Sequence, residues 1–292
     1  MTPAPTTEAA RRRNAIWRLA LGLPLVLAVY ALSVAGLAGL LRLATGPDAV
    51  WDWFARIQTA DGPAATLMLL LTFSGLVAGT LAAGGLLHRR GVFDLAGPPR
   101  ALVRDLALGL GVAGPLLLAA LGLGLMQIDV SPNHGPGLWL ALLPLALLGL
   151  AVQTGAEELL FRGYLQSQLA ARFPSPWVWI PLPALLFGAA HFDPASAGGN
   201  ATAIFAAATL FGLFAADLTA RTGTIGVAWG FHLANNASAL LLVALPDSMP
   251  GLALYTADVA LADSGTGVLI LQDMLTTTVI WAALRLALAR RG

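Results

Sequence analysis

The sequence of 292 residues has no cysteine and no lysine, and only 11% of its residues are charged. The absence of cysteine excludes disulfide bonds and thiolate catalysis. An ordinary soluble domain carries about 25% charged residues, so this chain has too little charge to cover a surface in water. Its net charge of +1, without a basic stripe, argues against nucleic-acid binding. All 16 basic residues are arginines, and together with the abundant Ala, Leu and Gly this composition indicates a bacterial source.

Long apolar runs dominate the sequence. Hydrophobic residues make up 58% of the chain, in runs far longer than the roughly 4–8 residues of a buried strand. The short alternating segments of a membrane β-barrel are not visible. The sequence therefore predicts an all-α polytopic transmembrane bundle with about eight spans, each near the ~20 residues that cross the hydrocarbon core. The predicted spans are Ile16–Leu41, Ala64–Leu87, Leu106–Met126, Leu138–Ala156, Trp177–Phe192, Thr202–Leu218, Ile225–Leu245 and Gly267–Ala287.

Arginine is distributed unevenly between the connections. If the N-terminus is cytoplasmic, 14 of the 16 arginines lie inside and only Arg42 and Arg56 lie outside. Since basic residues concentrate in cytoplasmic connections, we predict an N-in, C-in, multi-pass protein of the bacterial inner (plasma) membrane. We expect a cytoplasmic tail over residues 1–15, without order over Met1–Ala9, and a single membrane domain over residues 16–292. The segment Gly91–Asp105 is expected to lie at the inner interface before the third span.

Ionisable residues inside the predicted spans are costly and are therefore candidates for function. Glu158 and Arg162 lie four residues apart, so they share a helix face and can form an ion pair with a purely structural role. Glu157 points about 100° away from that face, where Arg162 does not easily reach it. Glu157 therefore needs another partner, which favours a functional site.

His191 and His232 lie in two later spans. His191 comes close to a predicted helix end, which suits a capping or interfacial histidine. His232 lies inside its span with Asn235 and Asn236 within about one turn. These groups can serve helix–helix hydrogen bonding, but their concentration in a single turn favours a site.

Two further carboxylates have structural explanations. Asp217 and Arg221 repeat the four-residue pairing at an inner helix end. Asp273 has no charged neighbour in the sequence and is expected to reach the outer interface. The sequence assigns neither carboxylate to a site.

A free carboxylate, two histidines and an amide suffice to activate water. A carboxylate in a low-dielectric environment can act as a general base, and His and Asn side chains can stabilise an oxyanion. This chemistry hydrolyses a peptide bond without a Ser or Cys nucleophile. Glu157, His191 and His232 also have the composition of a catalytic zinc site, although an H-E-x-x-H motif is absent. Metal-dependent and metal-free alternatives both stay open.

Three motifs occur in order in separate apolar segments: Glu157-Glu158-x-x-x-Arg162, Phe187-x-x-x-His191 and His232-x-x-x-Asn236. In this order and spacing they resemble the CPBP family of intramembrane proteases. That family covers type II CAAX-prenyl endopeptidases and bacterial "Abi" relatives linked to bacteriocin processing or immunity. The resemblance covers about residues 138–245, which it identifies as a catalytic core.

The resemblance implies a role for each motif residue. Glu157 would activate the hydrolytic water, and His191 would help to hold that water or a metal such as zinc. Glu158 would assist, and Arg162 would fix both glutamates electrostatically. His232 and Asn236 would stabilise the oxyanion. The implied partners are a peptide or membrane-protein substrate and the lipid bilayer.

Two other classes of function stay open. A non-catalytic membrane adaptor or bacteriocin-immunity-type protein would keep the same scaffold without using the site. A proton- or ion-coupled transporter would use the same carboxylates, but the lack of an internal repeat disfavours it. The glycines Gly109, Gly111 and Gly114 suit contacts within a chain as well as between chains, so no oligomeric state is predicted.

Residue counting places the site residues at different depths. Glu157 and His232 fall in the inner half of the membrane, whereas His191 falls at the outer end of its span. The stretch Leu138–Arg172 would be about 52 Å long as one helix, which can bring Glu157 towards the midplane. Alternatively, Pro181 and Pro183 start the next helix late, so that it runs beyond His191.

Overall fold

The computed structural model describes residues 5–291, with side chains from Glu8 onwards. These residues form a helical bundle. The long helices are α2 (Ile16–Thr45), α4 (Pro63–His88), α6 (Pro99–Gly124), α7 (Pro136–Glu158), α12 (Ala201–Thr222) and α14 (Thr266–Ala289). The shorter helices are α1 (Pro5–Arg11), α3 (Ala49–Thr59), α5 (Val92–Ala96), α8 (Ser167–Arg172), α9 (Pro176–Trp179), α10 (Pro181–Ala190), α11 (Pro194–Ala197) and α13 (Gly226–Ala237).

Within residues 5–291, six helical segments are long and apolar enough to cross a membrane. They are Ile16–Thr45, Pro63–His88, Pro99–Gly124, Pro136–Arg172, Pro194–Thr222 and Thr266–Ala289. The predicted fifth and seventh spans contain the shorter helices α10 and α13. The all-α, multi-pass bundle is therefore confirmed, whereas the count of eight spans and the sidedness of the termini stay predictions.

Proline marks the start of many helices. The helices α4, α6, α7, α9, α10 and α11 each carry a proline in their first turn. Proline fixes φ near −65° and lacks an N–H that would have no helical partner at this position. For this reason the helix of the third predicted span begins at Pro99 and not at Leu106. The segment Gly91–Asp105 therefore contains the short helix α5 and the first residues of α6.

The N-terminal tail is partly helical. Met1–Ala4 lie outside the described residues, but Pro5–Arg11 form α1. The expectation of no order over Met1–Ala9 is therefore wrong for residues 5–9. Asn14 Nδ2 donates a hydrogen bond of 2.9 Å to the carbonyl oxygen of Ala171, and this bond ties the tail to α8.

One long helix carries the first motif. The helix α7 continues through a π-helical segment, Leu159–Gln166, into α8. Pro136–Arg172 is therefore a single helical segment of 37 residues, as expected for the stretch from Leu138. π-helical turns inside α-helices occur frequently at functional sites.

Glycines bring α6 and α13 into close contact. A Cβ atom added at Gly109 would overlap the backbone at Val227, and one added at Gly230 would overlap the backbone at Leu106. The close approach fixes the position of α13, the helix of His232 and Asn236, against α6.

A small sheet closes one end of the bundle. Strand β1 (Val130–Pro132) pairs antiparallel with β3 (Tyr255–Ala257), and β2 (Val243–Ala244) pairs parallel with β3. A π-helical segment, Ser238–Leu242, connects α13 to β2. The sheet thus joins the end of α13 to the connections that precede α7 and α14.

Candidate active site

A buried charge cluster links the long helix of Glu158 to α13. Glu158 Oε1 lies 3.2 Å from Arg162 Nη1 and 2.9 Å from His232 Nδ1. The three side chains are between 0% and 5% exposed. A buried carboxylate needs such partners because its desolvation is costly. The ion pair between Glu158 and Arg162 that the spacing predicts is present, and it extends to His232.

Aromatic rings surround the Arg162 guanidinium. Its central carbon lies 4.8 Å from the ring centre of Phe187 and 5.8 Å from that of Phe211. Aromatic faces attract a cation most strongly where water is excluded. Arg162 is thus held by a carboxylate on its own helix and by rings from α10 and α12.

Glu157 faces the other side of the same imidazole. Its Oε2 atom lies 3.5 Å from His232 Nε2 and, among the described residues, accepts no hydrogen bond. The Glu157 side chain is 12% exposed, whereas that of Glu158 is fully buried. Glu157 therefore does not share the ion pair of Arg162, as predicted, but its neighbour is His232 and not His191.

Asn236 is oriented by a residue that the sequence analysis missed. Asn236 Nδ2 donates a hydrogen bond of 2.9 Å to Gln153 Oε1. Gln153 lies one turn before Glu157 on the buried face of α7. A polar residue four positions before a motif carboxylate, in an apolar helix, is the signal that identifies it.

His191 follows the short helix α10. Its Nδ1 atom lies 2.8 Å from the carbonyl oxygen of Phe187. Because a carbonyl only accepts, Nδ1 carries a hydrogen, and in the neutral imidazole Nε2 is then an acceptor. The rings of His191 and His232 both contact Phe187, with ring centres 4.5 and 5.8 Å away.

The helix before His191 is short. It starts at Pro181, as late as expected, but ends at Ala190 and does not run beyond His191. Together with α9 it makes the apolar helical segment Pro176–Ala190, which is shorter than the ~20 residues of a membrane span. His191 and His232 line the same cleft, whereas their depth in the membrane stays a prediction. Among the described residues His191 forms no hydrogen bond or ion pair with Glu157.

A cleft of about 480 Å³ brings the second and third motifs together. His191, His232, Asn235 and Asn236 line it together with Phe187, Phe211 and apolar residues of α6, α12 and α14. Strands β2 and β3 contribute Val243, Ala244 and Ala257. The cleft is mostly apolar with a few converging polar groups, as is usual for binding sites.

The candidate zinc ligands do not converge in this structure. Within residues 5–291, no group of three His, Asp or Glu side chains is placed to hold a metal ion together. Both nitrogens of His232 face glutamates, and Nδ1 of His191 is bound to a backbone carbonyl. Since a catalytic zinc site needs three converging ligands, Glu157, His191 and His232 do not fit one as arranged here.

The two remaining carboxylates differ. Asp217 accepts bonds from Arg221 at 2.9 Å, Arg285 at 3.3 Å and Trp281 Nε1 at 3.0 Å, so the predicted pairing with Arg221 is present. Asp273, which the sequence assigned to no site, lines the cleft.

Comparison with known proteins supports the resemblance given by the motifs. The family model "Type II CAAX prenyl endopeptidase Rce1-like" matches residues 137–238, a range that contains every motif residue, and this match supports membership of the CPBP family. YyaK of Bacillus subtilis (strain 168), described as an uncharacterized protein, is 31% identical over 119 residues. That match spans 41% of this chain and 39% of the relative. No solved structure matches the chain.

Proposed function

We propose that this multi-pass membrane protein, which matches the Rce1-like family over residues 137–238, is an intramembrane endopeptidase. One observation supports the mechanism. Of the two adjacent glutamates, Glu158 is fully buried between Arg162 and His232, whereas Glu157 is 12% exposed beside His232 Nε2. Glu157 does not itself line the cleft, but of the two carboxylates it is the more exposed one, and it lies against His232, which does line it.

Glu157 acts as the general base. It takes a proton from water while the water oxygen attacks the carbonyl carbon of the peptide bond. His191 Nε2, an acceptor because Nδ1 donates to Phe187, orients this water. The proton then passes from Glu157 to the amide nitrogen as the C–N bond breaks, which yields a carboxylic acid and an amine.

His232 and Asn236 stabilise the oxyanion. In this mechanism His232 is a donor from both ring nitrogens: Nδ1–H donates to Glu158, and Nε2–H faces Glu157. After Glu157 has taken the proton from water, it attracts Nε2–H less strongly, and this donor becomes available to the oxyanion together with the Asn236 amide.

Glu158, Arg162 and Gln153 are positioning residues. Glu158 fixes the orientation of His232, Arg162 balances the charge of Glu158, and Gln153 orients Asn236. The substrate is a peptide segment within or near the bilayer. Composition and the arginine distribution support the bacterial inner membrane as its location.

The test compares wild type and Glu157→Gln in liposomes. Loss of the general base is expected to lower the cleavage rate about 10²–10⁴-fold, while the variant keeps its elution volume and melting temperature. Mass spectrometry of a panel of apolar peptides measures the cleavage. Asp217→Asn serves as a control, because Asp217 pairs with Arg221 and Arg285 outside the cleft.

Unchanged cleavage by Glu157→Gln would exclude the mechanism. A wild type that cleaves nothing would favour the adaptor alternative. Metal analysis of the same samples separates the two hydrolytic routes: the metal-free mechanism predicts no stoichiometric zinc and activity that survives a chelator, whereas bound zinc and loss of activity on chelation would contradict it.

A further inference from the structure

Asp273 lines the cleft from the first third of α14, Thr266–Ala289. Thr266, Ile270, Asp273 and Thr277 line the cleft and are spaced three or four residues apart, so they form one face of the helix. Neighbouring polar groups are engaged: Gln272 donates to Gln127, and Thr276 donates to the carbonyl oxygen of Gln272. Among the described residues, by contrast, nothing forms a hydrogen bond or an ion pair with the Asp273 carboxylate.

None of the described residues that line the cleft is a lysine or an arginine. Residues 106–161, 173–220 and 222–284, which build the cleft, contain neither lysine nor arginine. Among the described residues that line the cleft, the other ionisable side chains are His191 and His232. Charged groups inside membrane proteins are normally paired or face a functional cavity; Asp273 is an exposed residue that faces the cleft, where a group of the occupant can pair with it.

The connections next to strands β1, β2 and β3, beside the cleft, also carry negative charge. Asp247 accepts from the Leu261 backbone N–H, and Asp258 accepts from Ser131. These carboxylates lie in the segments that adjoin β1, β2 and β3, again without lysine or arginine. A cleft whose rim and interior are both negative attracts cations and repels anions.

We propose that Asp273 binds a cationic side chain, lysine or arginine, of the peptide substrate and so determines specificity. This inference rests on the proposed function in taking the occupant to be a peptide. The rest of the lining is apolar, with Leu117, Ile204 and Leu269, and accepts the apolar residues that flank the cation. The aliphatic stem of a lysine packs along such a surface while its ammonium group reaches a carboxylate.

Binding to the inactive variant tests the inference without cleavage. The probes are fluorescent apolar octapeptides with one lysine at each position in turn, and the same peptides with acetyl-lysine, which removes only the charge. For at least one position, Glu157→Gln in detergent micelles is expected to bind the lysine peptide about tenfold more tightly than its acetylated match, as measured by anisotropy. The double variant Glu157→Gln, Asp273→Asn is expected to bind both equally.

Two further variants separate a direct contact from a general field effect. Asp258→Asn removes the same charge at the rim and keeps an acceptor for Ser131, so the preference for lysine is expected to persist. Asp273→Lys is expected to reverse the preference towards peptides with glutamate. The inference is overturned if no lysine position is favoured, or if Asp273→Asn leaves the preference unchanged.

The cleavage assay distinguishes the two proposals. If wild type cleaves no peptide while Asp273-dependent binding of lysine peptides persists, the endopeptidase proposal fails and the cation site stands. If wild type cleaves lysine and acetyl-lysine peptides at equal kcat/KM, the endopeptidase proposal stands and the inference about Asp273 fails.

Discussion

Glu157 and Glu158 are neighbours in the sequence but have different surroundings in the fold. Glu158 is enclosed by Arg162 and His232, whereas Glu157 faces His232 Nε2 and keeps some exposure. The angular separation of adjacent helix positions predicts that the two carboxylates differ. Which partners they meet depends on α13, whose position the sequence does not give.

Replacement of Glu158 is expected to destabilise the protein more than replacement of Glu157. Glu158→Ala leaves Arg162, 1% exposed, as a buried charge without its carboxylate, and the expected loss is about 3–5 kcal/mol. Glu157→Ala removes a partly exposed group that does not pair with Arg162. Thermal unfolding of both variants in detergent measures the difference, and equal melting temperatures would contradict this account of the cluster.

Gln153 offers a test of positioning. Gln153→Met keeps the side-chain volume but removes the acceptor of the Asn236 amide, so kcat is expected to fall about tenfold with little change in KM. Gln153→Glu retains an oxygen at this position and is expected to recover part of kcat. The control is Gln58→Met, because Gln58 is exposed on α3 and does not line the cleft. A change in KM alone would assign Gln153 to substrate binding instead.

At the scale of elements, two helix contacts decide whether the site assembles. The short helix α10 ends at Ala190, and His191, which follows it, lines the cleft. The close crossing of α6 and α13 fixes His232 and Asn236. Of the glycines that the sequence left open, Gly109 contacts α13 within the chain, whereas a Cβ atom added at Gly111 or Gly114 would meet no neighbouring atom within 4 Å.

A bulky residue at the crossing is expected to separate these helices. In Gly230→Val the added atoms overlap the backbone of α6 at Leu106, so α13 must move and take His232 with it. Both melting temperature and cleavage rate are expected to fall, the latter by about 10²-fold. Gly111→Val, on the partner helix α6 but with no neighbouring atom within 4 Å of the added Cβ, is expected to change neither. A large loss in that variant would contradict the crossing as the cause.

At the scale of the whole molecule, the two ends of the bundle differ in charge. The connections near β1, β2 and β3 contain aspartate without arginine, while most arginines lie in the segments that we predict to be cytoplasmic. This asymmetry predicts the orientation in the membrane. It also gives the cleft a negative rim, because the cleft opens among the arginine-free segments.

Single cysteines test the orientation directly, since the natural chain has none. Ser131→Cys and Ser264→Cys are expected to react with an impermeant maleimide added outside intact cells. Ser175→Cys is expected to react only after permeabilisation. The opposite pattern would reverse the predicted topology, whereas labelling of all three from outside would contradict the predicted set of crossings.

The sequence by itself determined the class of fold and the chemical types in the site. Apolar runs of membrane length leave helices as the way to satisfy the backbone, and the cost of burying charge singles out Glu157, Glu158, Arg162 and His232. It also predicted the ion pair of Glu158 with Arg162, because residues four apart on a helix are neighbours.

Only the tertiary structure decided which of these groups meet. His232 lies between both glutamates, Gln153 holds Asn236, and Asp273 faces the cleft from α14. These contacts join residues far apart in the chain, and they depend on the length of α10 and on the glycine crossing of α6 with α13. Helical periodicity fixes which side of a helix a residue occupies, but packing against other helices fixes what that side touches.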